Sequence, residues 1–206
     1  MIRLFDIFFS FFGLIVLSPL LLIISFLVKV TSPGPVFFRQ KRVGQNNIDF
    51  TLFKFRTMQT DSDKSSLITI GNNDIRITVV GKHLRRLKLD ELPQLFNVII
   101  NNMSLVGPRP EVRKYVEMYS SDQMRMLSVK PGITDWASIM FKDENEILAK
   151  SNNPEYEYIN NIIPLKMEYN QIFINNYSSY EYFKIIIVTL VKIIFPGIRI
   201  CKRKNK

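Results

Sequence analysis

The sequence predicts a mixed α/β (α+β) fold, in which a small domain of short strands and several helices is joined to an apolar N-terminal helix. Three observations support this. Residues 7–28 carry no formal charge. Residues 36–43 and 50–56 are rich in aromatic side chains and are separated by the turn-like segment 44–47, which predicts a β-hairpin. Residues 80–89 place apolar and cationic side chains on different faces of a helix.

The uncharged segment is long enough to cross a bilayer, since about 20 apolar residues span the hydrocarbon. Ser18-Pro19 divides it. Proline removes a backbone donor, so we expect a kink there, with the Ser18 hydroxyl available to a freed carbonyl. The kinked helix could pass through the membrane with a bend or return as a re-entrant hairpin. Arg3 and Lys29 flank the run and favour cytoplasmic positions for both ends.

Asp90 is expected to cap a helix that begins there, because Pro93 is tolerated only in a first turn. An apolar stripe on this helix is predicted at Leu92, Leu95, Phe96 and Ile99. A further helix is predicted over residues 112–127, and a tight turn at 130–134 leads into a short strand.

Residues 154–177 carry mixed helical signals. Residues 182–200 are apolar with interspersed cations, which predicts an amphipathic helix in the membrane plane, followed by the basic tail Lys202-Arg203-Lys204. The predicted division of the chain is a membrane helix (1–30), a folded domain (31–181), and an interfacial helix with its tail (182–206).

A net charge of +10 favours an anionic partner, which could be nucleic acid, a membrane surface or a phosphate-rich substrate. The basic residues are scattered without a nucleic-acid-binding motif, so no nucleic acid partner is expected. No Walker A or Gly-x-Gly-x-x-Gly pattern occurs. The single cysteine, Cys201, excludes a disulfide framework and fits a reducing compartment.

The pair Asp90-Glu91 lies among cations, a mixture that suits phosphoryl chemistry. A carboxylate can attack phosphorus or hold a metal, while cationic groups neutralise phosphate oxygens. The cations nearby in the sequence are Lys82, Arg85, Arg86, Lys88 and Arg109. Taken without their surroundings, Asp90 as a helix cap and Glu91 as a helix-dipole partner need no chemistry.

Five blocks in order resemble the bacterial sugar transferases known as monotopic polyprenyl-phosphate phosphoglycosyl transferases. The blocks cover most of residues 1–135, and their joint order is far more specific than any one motif. They are Gly34-Pro35-Val36-Phe37-Phe38-Arg39-Gln40-Lys41-Arg42-Val43-Gly44, Phe53-Lys54-Phe55-Arg56-Thr57-Met58, Leu89-Asp90-Glu91-Leu92-Pro93-Gln94-Leu95-Phe96-Asn97, Met103-Ser104-Leu105-Val106-Gly107-Pro108-Arg109-Pro110 and Lys130-Pro131-Gly132-Ile133-Thr134.

The resemblance implies transfer of a sugar phosphate from a UDP-sugar to polyprenyl (undecaprenyl) phosphate with release of UMP. Asp90 is then the nucleophile that forms an aspartyl-phosphosugar intermediate. Mg²⁺ is the implied cofactor, held by Asp90 and supported by Glu91, which alternatively orients Asp90. The resemblance also implies a re-entrant membrane helix kinked at Ser18-Pro19, in the bacterial inner membrane with the catalytic domain on the cytoplasmic face.

Arg85 and Arg109 are candidate phosphate clamps, because a planar guanidinium binds phosphate in a bidentate manner, and Lys54 is a weaker candidate. The expected partners are the UDP-sugar, polyprenyl phosphate and membrane lipid, while a homodimer stays open. The expected role is to initiate a membrane-linked glycan such as an O-antigen, a capsule or a protein glycan.

Two rival functions remain open at this stage. One is a membrane-bound glycosyltransferase that uses Asp61 and Asp63 with a metal and releases UDP. The other is a non-enzymatic basic membrane adaptor.

The chain departs from the family pattern in two places. After Thr134 many members continue with Gly-x-Ala-Gln-Val and a Gly-Arg loop, whereas this chain has Asp135-Trp136-Ala137-Ser138 and no such arginine. Lys142 is a candidate replacement for that cation. An aspartate common before the C-terminal helix is here Tyr182.

Overall fold

A computed structural model of the chain describes residues 1–60, 74–141 and 144–195. Within these ranges, helices surround two small two-stranded sheets, which confirms the mixed helix and strand class. The helices are α1 (Ile2–Thr31), α2 (Val79–Arg86), α3 (Gln94–Ile99), α4 (Arg113–Val116), α5 (Ser121–Met124), α6 (Trp136–Met140), α7 (Glu144–Ala149), α8 (Pro154–Glu157), α9 (Ile163–Asn175) and α10 (Ser179–Ile194). The strands are β1 (Phe37–Val43), β2 (Asp49–Phe55), β3 (Ser104–Val106) and β4 (Gly132–Thr134).

Helix α1 runs through Pro19, and by length and composition it could cross a membrane. The Ser18 hydroxyl donates a 2.7 Å hydrogen bond to the carbonyl of Ile15. That carbonyl lies four residues before Pro19 and is the one left without its usual N–H donor. The hydroxyl therefore compensates for the proline as predicted, and both arms of the segment belong to one helix.

One face of α1 lies along the folded domain from end to end. Near its start, Arg3 Nη2 donates to the carbonyl of Ile99 at 3.1 Å. Near its end, Ile24 and Val28 pack in a core cluster with Phe55. The remaining surface of α1 is apolar and exposed, at Leu4, Phe8, Phe11, Phe12, Ile15, Val16, Leu22, Ile23, Phe26 and Val30. Both ends of the apolar helix thus contact the same domain.

The predicted hairpin is confirmed, since β1 pairs antiparallel with β2 from Phe37 opposite Phe55 to Val43 opposite Asp49. Asn97 on α3 joins this sheet: its Oδ1 accepts from the Phe53 amide at 3.0 Å, and its Nδ2 donates to the Thr51 carbonyl at 2.7 Å. These bonds hold α3, and the turn before it, against β2.

The prediction that Asp90 caps a helix is wrong. Asp90 lies inside a 3₁₀ turn, Leu89–Glu91, which the chain enters through Lys88 at a φ of 58°. Pro93 occupies the position directly before α3 and not its first turn, so the helix begins later than predicted. Tertiary packing buries Asp90 and Glu91 instead of leaving them at a helix start. The stripe prediction is wrong at Phe96, which is 47% exposed.

Strands β3 and β4 pair in parallel, with Ser104 opposite Gly132 and Val106 opposite Thr134. The strands approach so closely that a Cβ on Gly132 would lie 2.0 Å from the Gly107 nitrogen, which excludes any side chain there. The segments that follow the two strands therefore leave the sheet at the same edge.

A single helix over residues 112–127 was the wrong prediction. The structure has α4, α5 and a 3₁₀ turn, Arg125–Ser128, in this region. The reason is a capping box: Ser120 Oγ accepts from the Gln123 amide, and the Gln123 side chain accepts from the Ser120 amide, so a new helix starts after Ser120.

The C-terminal predictions are confirmed in outline. Residues 154–177 form α8, a π-helical segment Tyr158–Ile162 and α9. Helix α10 begins earlier than expected, because Ser178 caps it. It buries Tyr182 and Ile185 and exposes the apolar residues Ile187, Leu190, Ile193 and Ile194. Its place in the membrane plane stays a prediction. The tail Lys202-Arg203-Lys204 and Cys201 lie outside the described residues.

Candidate active site

Glu91 is the centre of a buried ion-pair cluster. Its Oε1 lies 2.9 Å from Lys54 Nζ on β2 and 2.6 Å from Arg109 Nη2, and its Oε2 accepts from Arg109 Nη1 at 3.4 Å. Burial alone would raise the pKa of Glu91, but the charges of Arg109 and Lys54 outweigh it and hold this pKa well below its usual value. Glu91 is therefore an ionised group whose oxygens are already used.

Asp90, the adjacent carboxylate, differs from Glu91 in its hydrogen bonding and in the direction of its pKa shift. It is 6% exposed, and its Oδ1 is buried and accepts no hydrogen bond from the part of the chain that the structure describes. Burial raises the pKa of Asp90, with Glu91 adding to the effect and Lys54 and Arg85 opposing it. Two neighbouring carboxylates with pKa values moved in opposite directions are typical of a division of chemical roles.

Both carboxylates line a cavity of about 1140 Å³. The structure brings all the predicted chemical residues to this cavity, namely Lys54, Arg85, Asp90, Glu91 and Arg109. Burial lowers the pKa of Lys54 and of Arg85, against the charges of Glu91 and Asp90 respectively. Ser18 and Pro19 lie apart from it, on α1, as expected for residues with a membrane role.

A second group of polar side chains holds the segment that carries Arg109. Arg42 on β1 donates to the Pro110 carbonyl at 3.0 Å and lies 3.6 Å from the Glu111 carboxylate. Glu111 also accepts from the Tyr158 hydroxyl at 2.6 Å. These contacts fix the loop that carries the guanidinium group of Arg109 beside Glu91.

Asp135 is a site residue that sequence reasoning treated only as a departure from the family. It is 1% exposed, its Oδ2 accepts from the Arg109 amide at 3.3 Å, and its Oδ1 accepts from the Ser138 amide at 2.6 Å. It thus caps α6 and ties the end of β4 to the loop after β3. The signal available in the sequence was an aspartate placed directly before a helical segment, as an N-cap is.

The donor set suits a metal that is held mainly by substrate. Among the described residues no three acidic, histidine or cysteine side chains converge. Asp90 offers an oxygen that accepts no hydrogen bond within the described ranges, whereas both Glu91 oxygens accept from cations. Mg²⁺ often takes one or two carboxylates together with phosphate oxygens, so this set fits it. Asp61, Asp63 and Lys142 lie outside the described residues.

Comparison with known proteins places these features in a family. A family model described as "Bacterial sugar transferase" matches residues 1–196. The "Uncharacterized sugar transferase EpsL" of Bacillus subtilis is 36% identical over 193 residues, which cover 93% of this chain and 86% of that protein.

Relatives with a named activity are larger. The "UDP-glucose:undecaprenyl-phosphate glucose-1-phosphate transferase" of Klebsiella pneumoniae is 41% identical over 92% of this chain but only 39% of its own length. The "UDP-N-acetylgalactosamine-undecaprenyl-phosphate N-acetylgalactosaminephosphotransferase" of Aeromonas hydrophila is 45% identical over 60% of this chain and 30% of its own length. The chain therefore spans well under half the length of these two relatives.

Proposed function

The chain belongs to the bacterial sugar transferase family, and from this premise we propose that it transfers a sugar phosphate from a UDP-sugar to polyprenyl phosphate. The products are polyprenyl-diphosphate-sugar and UMP. The observation that carries the proposal is a contrast between two carboxylates in one cavity. A buried oxygen of Asp90 accepts no hydrogen bond within the described residues, whereas Glu91 is paired with cations. The names of the two larger relatives, which state sugar-phosphate transfer to undecaprenyl phosphate, support it.

The reaction proceeds in two displacements. An Asp90 carboxylate oxygen attacks the phosphorus that bears the sugar, the bond from that phosphorus to the bridging oxygen breaks, and UMP leaves with the bridging oxygen. A polyprenyl phosphate oxygen then attacks the same phosphorus, and Asp90 is released as a carboxylate. A covalent intermediate divides a difficult step and lets the soluble donor leave before the lipid acceptor reacts.

Lys54 and Arg109 neutralise charge on the transferred phosphoryl group, and Glu91 fixes both cations in place. Arg85, on the same cavity wall, contributes a further guanidinium group. Mg²⁺ would be held by Asp90 together with pyrophosphate oxygens, with Glu91 in support, and would neutralise the charge of the leaving phosphate. Chelation of divalent cations is expected to abolish UMP release, and added Mg²⁺ to restore it.

The acceptor reaches the cavity from the membrane side. The cavity extends to Thr189, Lys192 and Ile193 on α10, and exposed apolar residues of α10 lie beside Lys192. A phosphate whose tail lies in lipid would meet a cation here. Contacts of one domain with Arg3 near the start of α1 and with Val28 near its end favour a helix that enters and leaves the membrane on the same face. We propose that α1 is re-entrant, kinked at Ser18-Pro19, with the domain on the cytoplasmic face of the bacterial inner membrane.

The experiment is to incubate the purified protein with polyprenyl phosphate, Mg²⁺ and each of several UDP-sugars, and to identify the nucleotide released. UMP supports the proposal, and a phosphosugar adduct found by mass spectrometry on the peptide that contains Asp90 supports the intermediate. UDP would instead indicate a glycosyltransferase. A protein that releases neither nucleotide and still binds anionic vesicles would indicate a membrane adaptor.

A further inference from the structure

The cavity extends beyond the Asp90-Glu91 turn to a wall built by α6 and α9. Apolar and polar groups alternate on this wall, and none of them belongs to the phosphate-binding cluster. The wall residues are Ala137, Ser138, Phe141, Lys166, Met167 and Asn170.

Asn170 is the unexplained residue of this wall. It is 5% exposed, and its amide oxygen is buried and accepts no hydrogen bond from the described residues. Most buried polar atoms are hydrogen-bonded, because an unpaired one is costly. Within the described ranges, the buried carboxylate and amide oxygens in this condition belong to Asp90 and Asn170, and both residues line the same cavity.

Asn97 is a buried asparagine whose side chain has a structural role. It is fully buried, and both ends of its amide bond to the backbone of β2. Asn170 has no comparable duty, since the described part of the chain gives its oxygen no donor. An amide oxygen in the cavity wall that accepts no hydrogen bond within the described residues is available for a ligand.

We propose that Asn170 recognises the sugar of the donor by accepting a hydrogen bond from a hydroxyl or an amide N–H of the glycosyl group. This inference rests on the proposed function. The terminal torsion of asparagine is broad, so the amide can turn its oxygen toward a bound donor group. Met167 and Phe141 supply apolar surface for the C–H face of a sugar ring, and Ser138 supplies a second polar group.

The reaction order favours the sugar over the nucleoside as the group that Asn170 contacts. The phosphates must lie at Asp90, Lys54 and Arg109. The glycosyl group stays bonded to the attacked phosphorus through both displacements, whereas UMP leaves after the first. A dedicated polar residue in the cavity wall is therefore of most use to the group that remains.

The test compares Asn170→Leu with Asn160→Leu in the otherwise intact protein. Leucine has nearly the shape of asparagine without the amide. Asn160 is an exposed asparagine whose side chain donates to the carbonyl of Tyr156. With divalent cations chelated, so that no UMP is expected to be released, equilibrium binding is measured for UDP-glucose, UDP-galactose, UDP-N-acetylglucosamine, UDP-N-acetylgalactosamine and UMP. The thermal midpoint Tm is recorded for each protein.

In Asn170→Leu, the Kd of the UDP-sugar that the wild type binds best is expected to rise about tenfold, as loss of one hydrogen bond to substrate predicts. The Kd of UMP is expected to stay at the wild-type value, and Tm to stay the same or rise, since an unpaired polar group is removed. Asn160→Leu is expected to change neither Kd nor Tm.

Equal weakening of UMP and UDP-sugar would overturn the inference, because the contact would then be to the nucleotide. A fall in Tm with an unchanged Kd would overturn it too, because Asn170 would then be structural. A wild type that binds a UDP-sugar but releases no UMP would refute the proposed function and leave the binding test of Asn170 in force. A wild type that binds none of these UDP-sugars would overturn both.

Discussion

Two buried aspartates differ in their hydrogen bonding. One lies where α1 meets the folded domain, and the other lies in the Leu89–Glu91 turn. Asp6 on α1 is 2% exposed, and its Oδ1 accepts from Ser104 Oγ at 2.9 Å, the Leu105 amide at 2.8 Å and the Tyr182 hydroxyl at 2.8 Å. Asp90 is similarly buried, yet its Oδ1 accepts no hydrogen bond from the described residues. The two carboxylates therefore differ in hydrogen bonding and not in burial.

The difference follows from what each region must do. Asp6 joins three elements, because its partners lie on β3 and α10, and so it fixes the apolar helix to the folded domain. Three donors offset the cost of removing a carboxylate from water. At Asp90 the charges of Lys54 and Arg85 offset only part of that cost, and no described residue donates a hydrogen bond to Oδ1.

Asp90→Asn is the change with the largest expected effect. Loss of the nucleophile should reduce UMP release from a UDP-sugar at least about 1000-fold, a typical consequence of removing a group that reacts covalently. The fold should be retained, since the side chain keeps its shape. UMP release and thermal unfolding of the same preparation measure both effects. Unchanged turnover in this variant would mean that Asp90 is not the reacting group.

Arg109→Lys tests whether the cations around Glu91 act through geometry or through charge alone. Arg109 contacts both Glu91 oxygens, and lysine keeps the charge but loses the planar fork, so kcat/KM should fall about 100-fold. Arg113→Lys is the matched control, because Arg113 pairs with Asp49 at the surface and lies outside the cavity. Equal losses in the two variants would show that the effect of Arg109→Lys is not specific to the site.

The sequence predicted the components of the site better than their surroundings. Asp90, Glu91, Lys54, Arg85 and Arg109 were predicted from their chemistry and from the family blocks, and they share one cavity. The opposite pKa shifts of the two carboxylates could not be predicted, because they depend on how deeply tertiary contacts bury the Leu89–Glu91 turn.

The fold was predicted where the signal is local and missed where it is not. The hairpin and the compensation at Ser18 depend on neighbouring residues, and both were predicted. The break inside residues 112–127 depends on a capping box that the apolar pattern concealed. Asp135 contacts Arg109, which is distant in sequence. The buried oxygen of Asn170 accepts no hydrogen bond within the described residues, and a single sequence gives no distinctive signal for that.

Asp6→Ala should destabilise the fold without changing the chemistry. It leaves the Ser104 hydroxyl, the Leu105 amide and the Tyr182 hydroxyl without their acceptor, so the free energy of unfolding should fall by about 3 kcal/mol. Tyr182→Phe removes one donor and should cost about 1 kcal/mol. Thermal unfolding in detergent measures the loss, and UMP release per folded molecule should change little. A large loss of turnover in folded Asp6→Ala would give Asp6 a catalytic role and break the comparison.

Adjacent carboxylates should also show opposite effects of pH on stability. Burial raises the pKa of Asp90 in the folded state. At pH values above about 3.9, the pKa of aspartate in the unfolded chain, the ionised side chain therefore destabilises the folded state. Asp90→Asn should therefore stabilise the protein by about 1 kcal/mol at neutral pH, a gain that disappears as the pH falls below that value.

The pKa of Glu91 in the folded state is lowered by Arg109 and Lys54. The ionised side chain therefore stabilises the folded state at pH values above about 4.3, the pKa of glutamate in the unfolded chain, and this stabilisation is lost as the pH falls through the folded pKa. Glu91→Gln should then destabilise at neutral pH, and its penalty should shrink in acid. The free energy of unfolding of the wild type and of both variants, measured between pH 3 and pH 8, checks these effects. If both substitutions changed stability in the same direction at neutral pH, the two carboxylates would not differ as the geometry indicates.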